Sequence, residues 1–327
     1  MNTKLLITET RMNTVEMGDA RILIKKVEDN SVSAVYFDPP FKTGRKFKLT
    51  PSSDIGFDDI FANDKDYIAL IEPIIVESKR ALTKDGSFFF HISAAEMFIP
   101  EALCRKHFDF VRPIFWKRSR SKNNIKNKLG AVTDVIFWCS TSKKPKFNLV
   151  YQPLDAYYSE NSYKNKDKRG NYALGHIVYS KTQKAKDENR YYEFTIGERS
   201  WNPQYGWRVD REELQRLLDD ERIHIPLKRG NLYRKIYKHE SKGKPATDIW
   251  DDIHSIAMGS ESRKYPTQKP VSLLERIVEM STDAGDIVLD PMCGSGTTAV
   301  AAKKLGRGYI IFDQNPDAIK IAKENLK

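Results

Sequence analysis

The sequence predicts a doubly wound α/β sheet built from both chain ends, with a basic insertion between them, and three observations carry that reading. Apolar, β-branched and aromatic strand-like segments alternate with helical ones over the first part of the chain. That rhythm breaks between about 141 and 250 and then returns, so the two chain ends build one domain around an inserted one. Two strand-like segments, "SVSAVYFDPPF" and "DIVLDPMCGSGTTA", each run into loop-forming residues, as strands do where open α/β sheets bind ligands.

The elements follow in order. "TVEMGD" reads as a first strand. In "SVSAVYFDPPF" the strand runs from Ser31 to Phe37, and Pro39 and Pro40 stop it because proline has no amide to donate. Asp38 is thereby fixed at the carboxyl end of the strand. A helix is expected near 65–82, a strand at "GSFFFHI", a helix near 94–107, and strands at "VRPIFWK" and "TDVIFWCS". Within the insertion "RVDREELQRLLDDE" is the clear helix. Order returns with a proline-marked helix at "YPTQKPVSLLERIVEMST", a strand at "GDIVLD", a helix at "TTAVAAKKLG" and a strand at "RGYIIFD". The final helix opens near Asn315 and Pro316. The predicted division is 1–140, 141–250 and 251–327, the basic segment starting near 111.

The chain has 327 residues and a formal net charge of +11. Residues 111–190 hold 18 Lys and Arg against 6 Asp and Glu, a balance of +12, so this stretch carries the whole excess. It also holds Trp116, Trp138 and the tyrosines 151, 157, 158, 163, 172 and 179. A charge run is ordinarily a solvated surface. Basic residues interleaved with aromatics in an otherwise neutral chain favour a nucleic-acid partner, and Lys122, Lys126 and Lys128 are candidate phosphate contacts. The three cysteines, 104, 139 and 293, lie far apart without metal spacing, so no metal is expected and a reducing, cytoplasmic compartment is. No apolar run approaches the roughly 18 residues of a membrane span, and the charged start does not read as a signal peptide.

The glycine loop has more than one reading. Gly294 and Gly296 let backbone approach a ligand closely, and amides at the start of the following helix favour negative or polar groups. Gly294-x-Gly296-x-x-Ala299 followed by Asp313 at the next strand end also fits a dinucleotide fingerprint, hence an NAD-dependent oxidoreductase. The same pattern describes simple tight packing. It is not a P-loop, since no lysine follows the glycines. Asp313 is placed for ribose hydroxyls, with a helix cap as its plain alternative, a task Asn315 serves better.

"DPPF" asks for more specific chemistry. A nucleobase amino group is a poor nucleophile because its lone pair is delocalised into the ring. A carboxylate at Asp38 and the carbonyl of Pro39, held rigid by Pro40, suit the two hydrogens of such an amine, and Phe41 suits stacking on an extruded base. An ordinary strand-end turn explains the prolines but not the acid and the ring.

On these residues the sequence resembles the β-class amino-DNA methyltransferases that use S-adenosylmethionine, the N6-adenine and N4-cytosine DNA methylases. "DPPF" resembles their catalytic motif and "DPMCGSGTT" their cofactor loop, in that order. The likeness continues through "MGDA", "KDGSFFFHI", "TDVIFWCSTSKKPKFN", "GWRVDREELQRLLDDERI", "DIWDDI" and "YPTQKPVSLLERIVEMSTDAGD", and is weakest from about 150 to 190. It implies a Rossmann-like sheet, permuted so that the catalytic motif precedes the cofactor loop, and a target-recognition insertion. It also implies cofactor contacts at Asp290, Pro291, Cys293, Gly294, Gly296, Thr297, Thr298 and Asp313. Asp19 would approach the cofactor's adenine, and Thr267 and Lys269 its methionine end. The side chain of Cys293 reads as packing, and no Pro-Cys pair exists for attack on a ring carbon. Asp38, Pro39, Pro40 and Phe41 would act on the target base. The expected reaction is methyl transfer to the 6-amino group of adenine in DNA. The 4-amino group of cytosine is the nearest alternative, and a DNA-binding module without activity is a more distant one. Duplex DNA with a flipped base is the implied partner, with a homodimer and a cognate restriction endonuclease as further candidates. His91, ending "SFFFHI", reads first as structural, with a place near Asp38 as the alternative.

Overall fold

A computed structural model describes residues 12–48, 56–119, 126–127, 129–228, 230–256, 265 and 267–327. The chain divides into two compact units, one built from Met1–Val150 with Pro245–Lys327 and one from Tyr151–Lys244.

The first unit is an eight-stranded sheet in the order Thr14–Met17, Gly308–Asp313, Ile287–Asp290, Val32–Phe37, Leu82–Ser93, Thr133–Ser140, Phe110–Lys117, Ile249–Trp250. All neighbours are parallel except at Thr133–Ser140, which is antiparallel to both of its partners. The C-terminal strands thus stand beside the N-terminal ones.

Period-two alternation explains why both faces are covered. Phe37, Phe88, Phe90 and Phe137 pack into one cluster with Ile71, Ile74 and Leu103 from the helices Asp64–Ala81 and Phe98–His107. Tyr36, Phe89, Ile136 and Trp138 point the other way, onto Leu273, Leu274 and Ile277 of the helix Val271–Ser281. Each of these fully buried phenylalanines contributes about 2–3 kcal/mol by leaving water. Helix starts follow the sequence signals. Asn63 caps Asp64–Ala81 through Asp66 N, and Asn315 caps Pro316–Asn325 through Asp317 N. The expected helix near 94–107 begins later, at Phe98, after a short 3-10 turn over Ala94–Glu96.

The inserted unit begins at Tyr151 and ends at Lys244, where the sequence placed 141 and 250. Residues 141–150 stay with the sheet domain because Lys146 N donates to Asp85 O at 3.0 Å and Asn148 Nδ2 donates to Thr282 O at 2.9 Å. At the other end, Ile249–Trp250 adds a strand beside Phe110–Lys117. Within the insertion an antiparallel sheet runs Ile223–His224, Tyr233–Tyr237, Gly170–His176, Asn165–Asp167. Its separate core gathers Trp207, Leu214, Leu217 and Leu232.

Two aromatics of the basic segment are reassigned by this fold. Trp116 and Trp138 are buried in the sheet domain, so hydrophobic packing and not nucleic acid explains them. Several insertion aromatics meet their own unit's cations: Arg208 over Tyr179 at 5.1 Å, Arg211 over Tyr192 at 4.8 Å and Lys235 over Tyr172 at 5.3 Å. Lys164, Lys166, Lys181, Lys184 and Lys186 remain exposed, as does Lys126. Lys122 and Lys128 lie outside the described residues.

Candidate active site

Strand register brings the two motifs together. Val288 pairs with Ala34 and Leu289 with Val35, which sets Asp290 level with Tyr36 and its loop beside the Asp38 turn. Both motifs line one cavity of about 620 Å³ within the sheet domain. Asp19, Asp38, Pro39, Pro40, Phe41, Thr267, Lys269, Asp290, Cys293, Gly294, Thr297, Thr298 and Asp313 all contribute to its walls.

Asp38 is the chemical centre. Its Oδ2 accepts a hydrogen bond from the Lys269 ammonium. Its Oδ1 is buried and has no hydrogen-bond partner among the described residues. An unpaired buried carboxylate oxygen costs free energy until a donor arrives, so the site presents an acceptor ready for a ligand's N–H. Lys269, expected at the methionine end of a cofactor, lines the cavity with its ammonium on Asp38 and 5.1 Å from the centre of the Phe41 ring.

The turn after Phe41 is clamped by a residue that belongs to no motif. Asp59 is fully buried and accepts from Lys42 N at 2.6 Å, Thr43 N at 2.9 Å and Thr43 Oγ1 at 2.6 Å. Lys42 sits at φ 59°, a left-handed conformation those bonds help to hold.

In the glycine loop the side chains mostly brace backbone. Asp313 takes Gly294 N at 2.9 Å on one oxygen and Asn315 N at 2.8 Å on the other, and burial raises its pKa. Asp290 accepts from Thr298 Oγ1 at 2.5 Å and Met292 N at 3.1 Å. Asp19 caps the short helix Ala20–Leu23 and is bound by Arg21, whose hydrogen bond holds its carboxyl below the usual range. Cys293 is buried, and burial pushes its thiol pKa well up, which keeps it neutral. Pro291 is buried outside the cavity wall.

Gly296 departs from the expected role. It caps Thr297–Lys304 at φ 75°, and a Cβ built there would stand 2.7 Å from Ala322 Cβ and 3.1 Å from Ala322 Cα. Its missing side chain makes room for the final helix, not for a ligand. Thr267 also lies in the left-handed region, at φ 59°, which is strained for a β-branched residue. Tyr36 and Tyr265 line the cavity too. Tyr36 was findable, since it shares the strand face of Asp38 two residues on. Tyr265 lies two residues before Thr267, but only the fold brings it against Gly294.

One pH dependence follows. Burial pushes the Asp290 carboxyl up to about 8, against the hydrogen bonds from Thr298 and Met292. A carboxyl raised above its ordinary 3.8 binds its proton more tightly when folded. Its contribution to stability is therefore full below about pH 4 and is lost as pH climbs through about 8. Asp290→Asn, isosteric with the protonated acid, should flatten the decline of Tm across that window. A decline identical to the parent's would mean that Asp290 is ionised throughout.

Comparison with known proteins places this geometry. The family model described as DNA methylase, of the N6/N4 type, matches residues 32–324. The chain belongs to that family. Over 303 residues it is 29% identical to the type II methyltransferase M.EcaI of Enterobacter cloacae, covering 90% of this chain and 64% of that protein. It is 27% identical over 314 residues to the DNA adenine methyltransferase YhdJ of Escherichia coli K12, covering 96% of this chain and 82% of that one. The chain thus spans less than two thirds of the length of M.EcaI. Among solved structures, the cytosine-N4-specific PvuII DNA methyltransferase shares the fold, with a TM-score of 0.53 at 14% identity, covering 96% of this chain and 86% of that one.

Proposed function

We propose that this chain transfers a methyl group from S-adenosylmethionine to the 6-amino group of adenine in DNA. The observation that carries the reading is Asp38: a carboxylate oxygen without a partner, on the wall of a cavity shared with the glycine loop of a DNA methylase family member. The residues present suit the cofactor. Gly294 and Thr297 offer close backbone approach beside a helix start, and Asp19 and Asp313 line the same wall with carboxylates. S-adenosylmethionine supplies an electrophilic methyl group on a sulfonium centre.

The chain's own groups do the rest. The Asp38 carboxylate and the Pro39 carbonyl would accept the two amine hydrogens, which returns lone-pair density to nitrogen. As that pair forms the N–C bond, the C–S pair stays on sulfur as a neutral thioether and one amine proton leaves through the Asp38 carboxylate to solvent. Phe41 offers a face for the flipped base. The walls hold both reactants at adjacent strand ends, and that proximity supplies much of the acceleration. The acid at position 38 favours adenine, since the family resemblance implies a serine at this motif position in enzymes acting on cytosine. The likeness to YhdJ supports the same choice. Methylation-sensitive sequencing of DNA from cells expressing the protein tests it: N6-methyladenine in a fixed context is expected, and N4-methylcytosine would replace this reading with the alternative.

DNA is the partner in this reading, engaged by the basic segment. Affinity for duplex DNA should fall with salt by a log–log slope of about −0.9 per phosphate contacted. Replacing Lys122, Lys126 and Lys128 by alanine should flatten the slope and weaken all sequences alike, with cofactor affinity unchanged. An unchanged slope would make those three lysines a solvated surface. A homodimer, a cognate restriction endonuclease and a cytoplasmic location complete the proposal. Among the described residues no helix is long and apolar enough to cross a membrane.

A further inference from the structure

A line of buried polar groups stands behind Asp38. Parallel pairing of Phe37 with Phe90 sets His91 beside the Asp38 turn, and His91 is fully buried. Its Nδ1 lies 2.6 Å from the Tyr36 hydroxyl and 4.0 Å from Asp38 Oδ1, the oxygen without a partner. Its Nε2 lies 3.4 Å from Asp134 Oδ2. Its ring centre is 5.7 Å from that of Phe41 and 5.5 Å from that of Trp116.

The proton positions follow from the partners. Burial works to raise the Asp134 pKa, but the hydrogen bond to His91 and the charge of Arg118, whose Nε donates to Asp134 at 2.8 Å, hold it below the usual value. An ionised carboxylate only accepts, so Nε2 donates to Asp134, and in the neutral ring Nδ1 is left as the acceptor facing Tyr36. The Tyr36 hydroxyl then donates to Nδ1. Burial, reinforced by the charges of Asp38, Asp290 and Asp134, drives the Tyr36 pKa well up, so this hydroxyl always has a proton to place.

We infer that His91 is a positioning residue for methyl transfer: by taking the Tyr36 proton it keeps that hydroxyl off Asp38 Oδ1, which stays open for the target amine. Without an acceptor at Nδ1, the buried Tyr36 hydroxyl must place its proton elsewhere, and Asp38 Oδ1, the unpartnered oxygen 4.0 Å from Nδ1, is the acceptor over which it would compete with the substrate. The inference rests on the methyl-transfer reading.

The test is single-turnover transfer of labelled methyl from S-adenosylmethionine to DNA from a strain without DNA methyltransferases, with cofactor affinity and Tm measured alongside. A wild-type protein that transfers nothing would fail the functional reading itself, and only an active one tests His91. His91→Leu should slow transfer roughly tenfold or more at unchanged cofactor affinity. Tyr36→Phe added to it should restore most of the rate, because the competing donor is gone. His91→Gln, which still offers an acceptor, should stay within about threefold of the parent, while the shorter His91→Asn should not. A purely structural His91 predicts the opposite for the double variant, which would then be slower than His91→Leu. Should His91→Leu not fold, equal rates for the Gln and Asn variants overturn the proposal.

Discussion

Asp38→Ala should lower methyl transfer by about 10²–10³-fold or more, with cofactor affinity within a few-fold of the parent. The reason is a division of labour within one cavity. Asp38 offers the free oxygen at the end of Val32–Phe37, whereas the glycine loop is braced by Asp313 and Asp290 on neighbouring strands. The substitution also removes the partner of the Lys269 ammonium, which is only 9% exposed. Asp38 is partly exposed on the cavity wall, so losing this partner should lower Tm only modestly. Titration with labelled S-adenosylmethionine and single-turnover transfer, done on the same preparation, separate the effects. Equal loss of binding and transfer in a folded variant would show that Asp38 serves the cofactor.

Gly296→Val should destabilise the fold by about 3 kcal/mol or more, from left-handed strain and overpacking together. The clash is with Ala322 of the last helix, so cofactor binding is lost through unfolding and not through a filled pocket. Gly294→Ala is the contrasting case. Its Cβ would meet Tyr265 at 3.5 Å, an ordinary contact, and φ 51° adds strain of about 1 kcal/mol. Urea denaturation of both variants beside cofactor titration decides the matter. A Gly296→Val protein as stable as the parent but unable to bind cofactor would return that residue to the ligand wall.

How far the site was legible depends on how local each signal is. Pro39 and Pro40 end a strand whatever surrounds them, and Asp38 is fixed at its end by covalent chemistry alone. Reading "GSFFFHI" as a strand carries period-two alternation with it, and the structure sets Phe88 and Phe90 on one face and Phe89 on the other. Asn315 and Pro316 open a helix by capping and by a fixed φ, and that helix is found where they put it. Resemblance added the pairing of the two motifs and the positions of Thr267 and Lys269.

Which groups meet was decided by the tertiary structure. Asp38 and Lys269 are 231 positions apart, and only parallel strand pairing, whose partners no periodicity names, sets Asp38 beside His91 and the Asp290 loop. The same limit hid the Asp59 clamp and moved Gly296 from ligand to helix packing. It also left Trp116 and Trp138 looking like part of a nucleic-acid surface. A sequence records what each residue does to its own backbone and which face it prefers. The identity of the residue across the sheet is set by register, and register is fixed only when all the strands have packed.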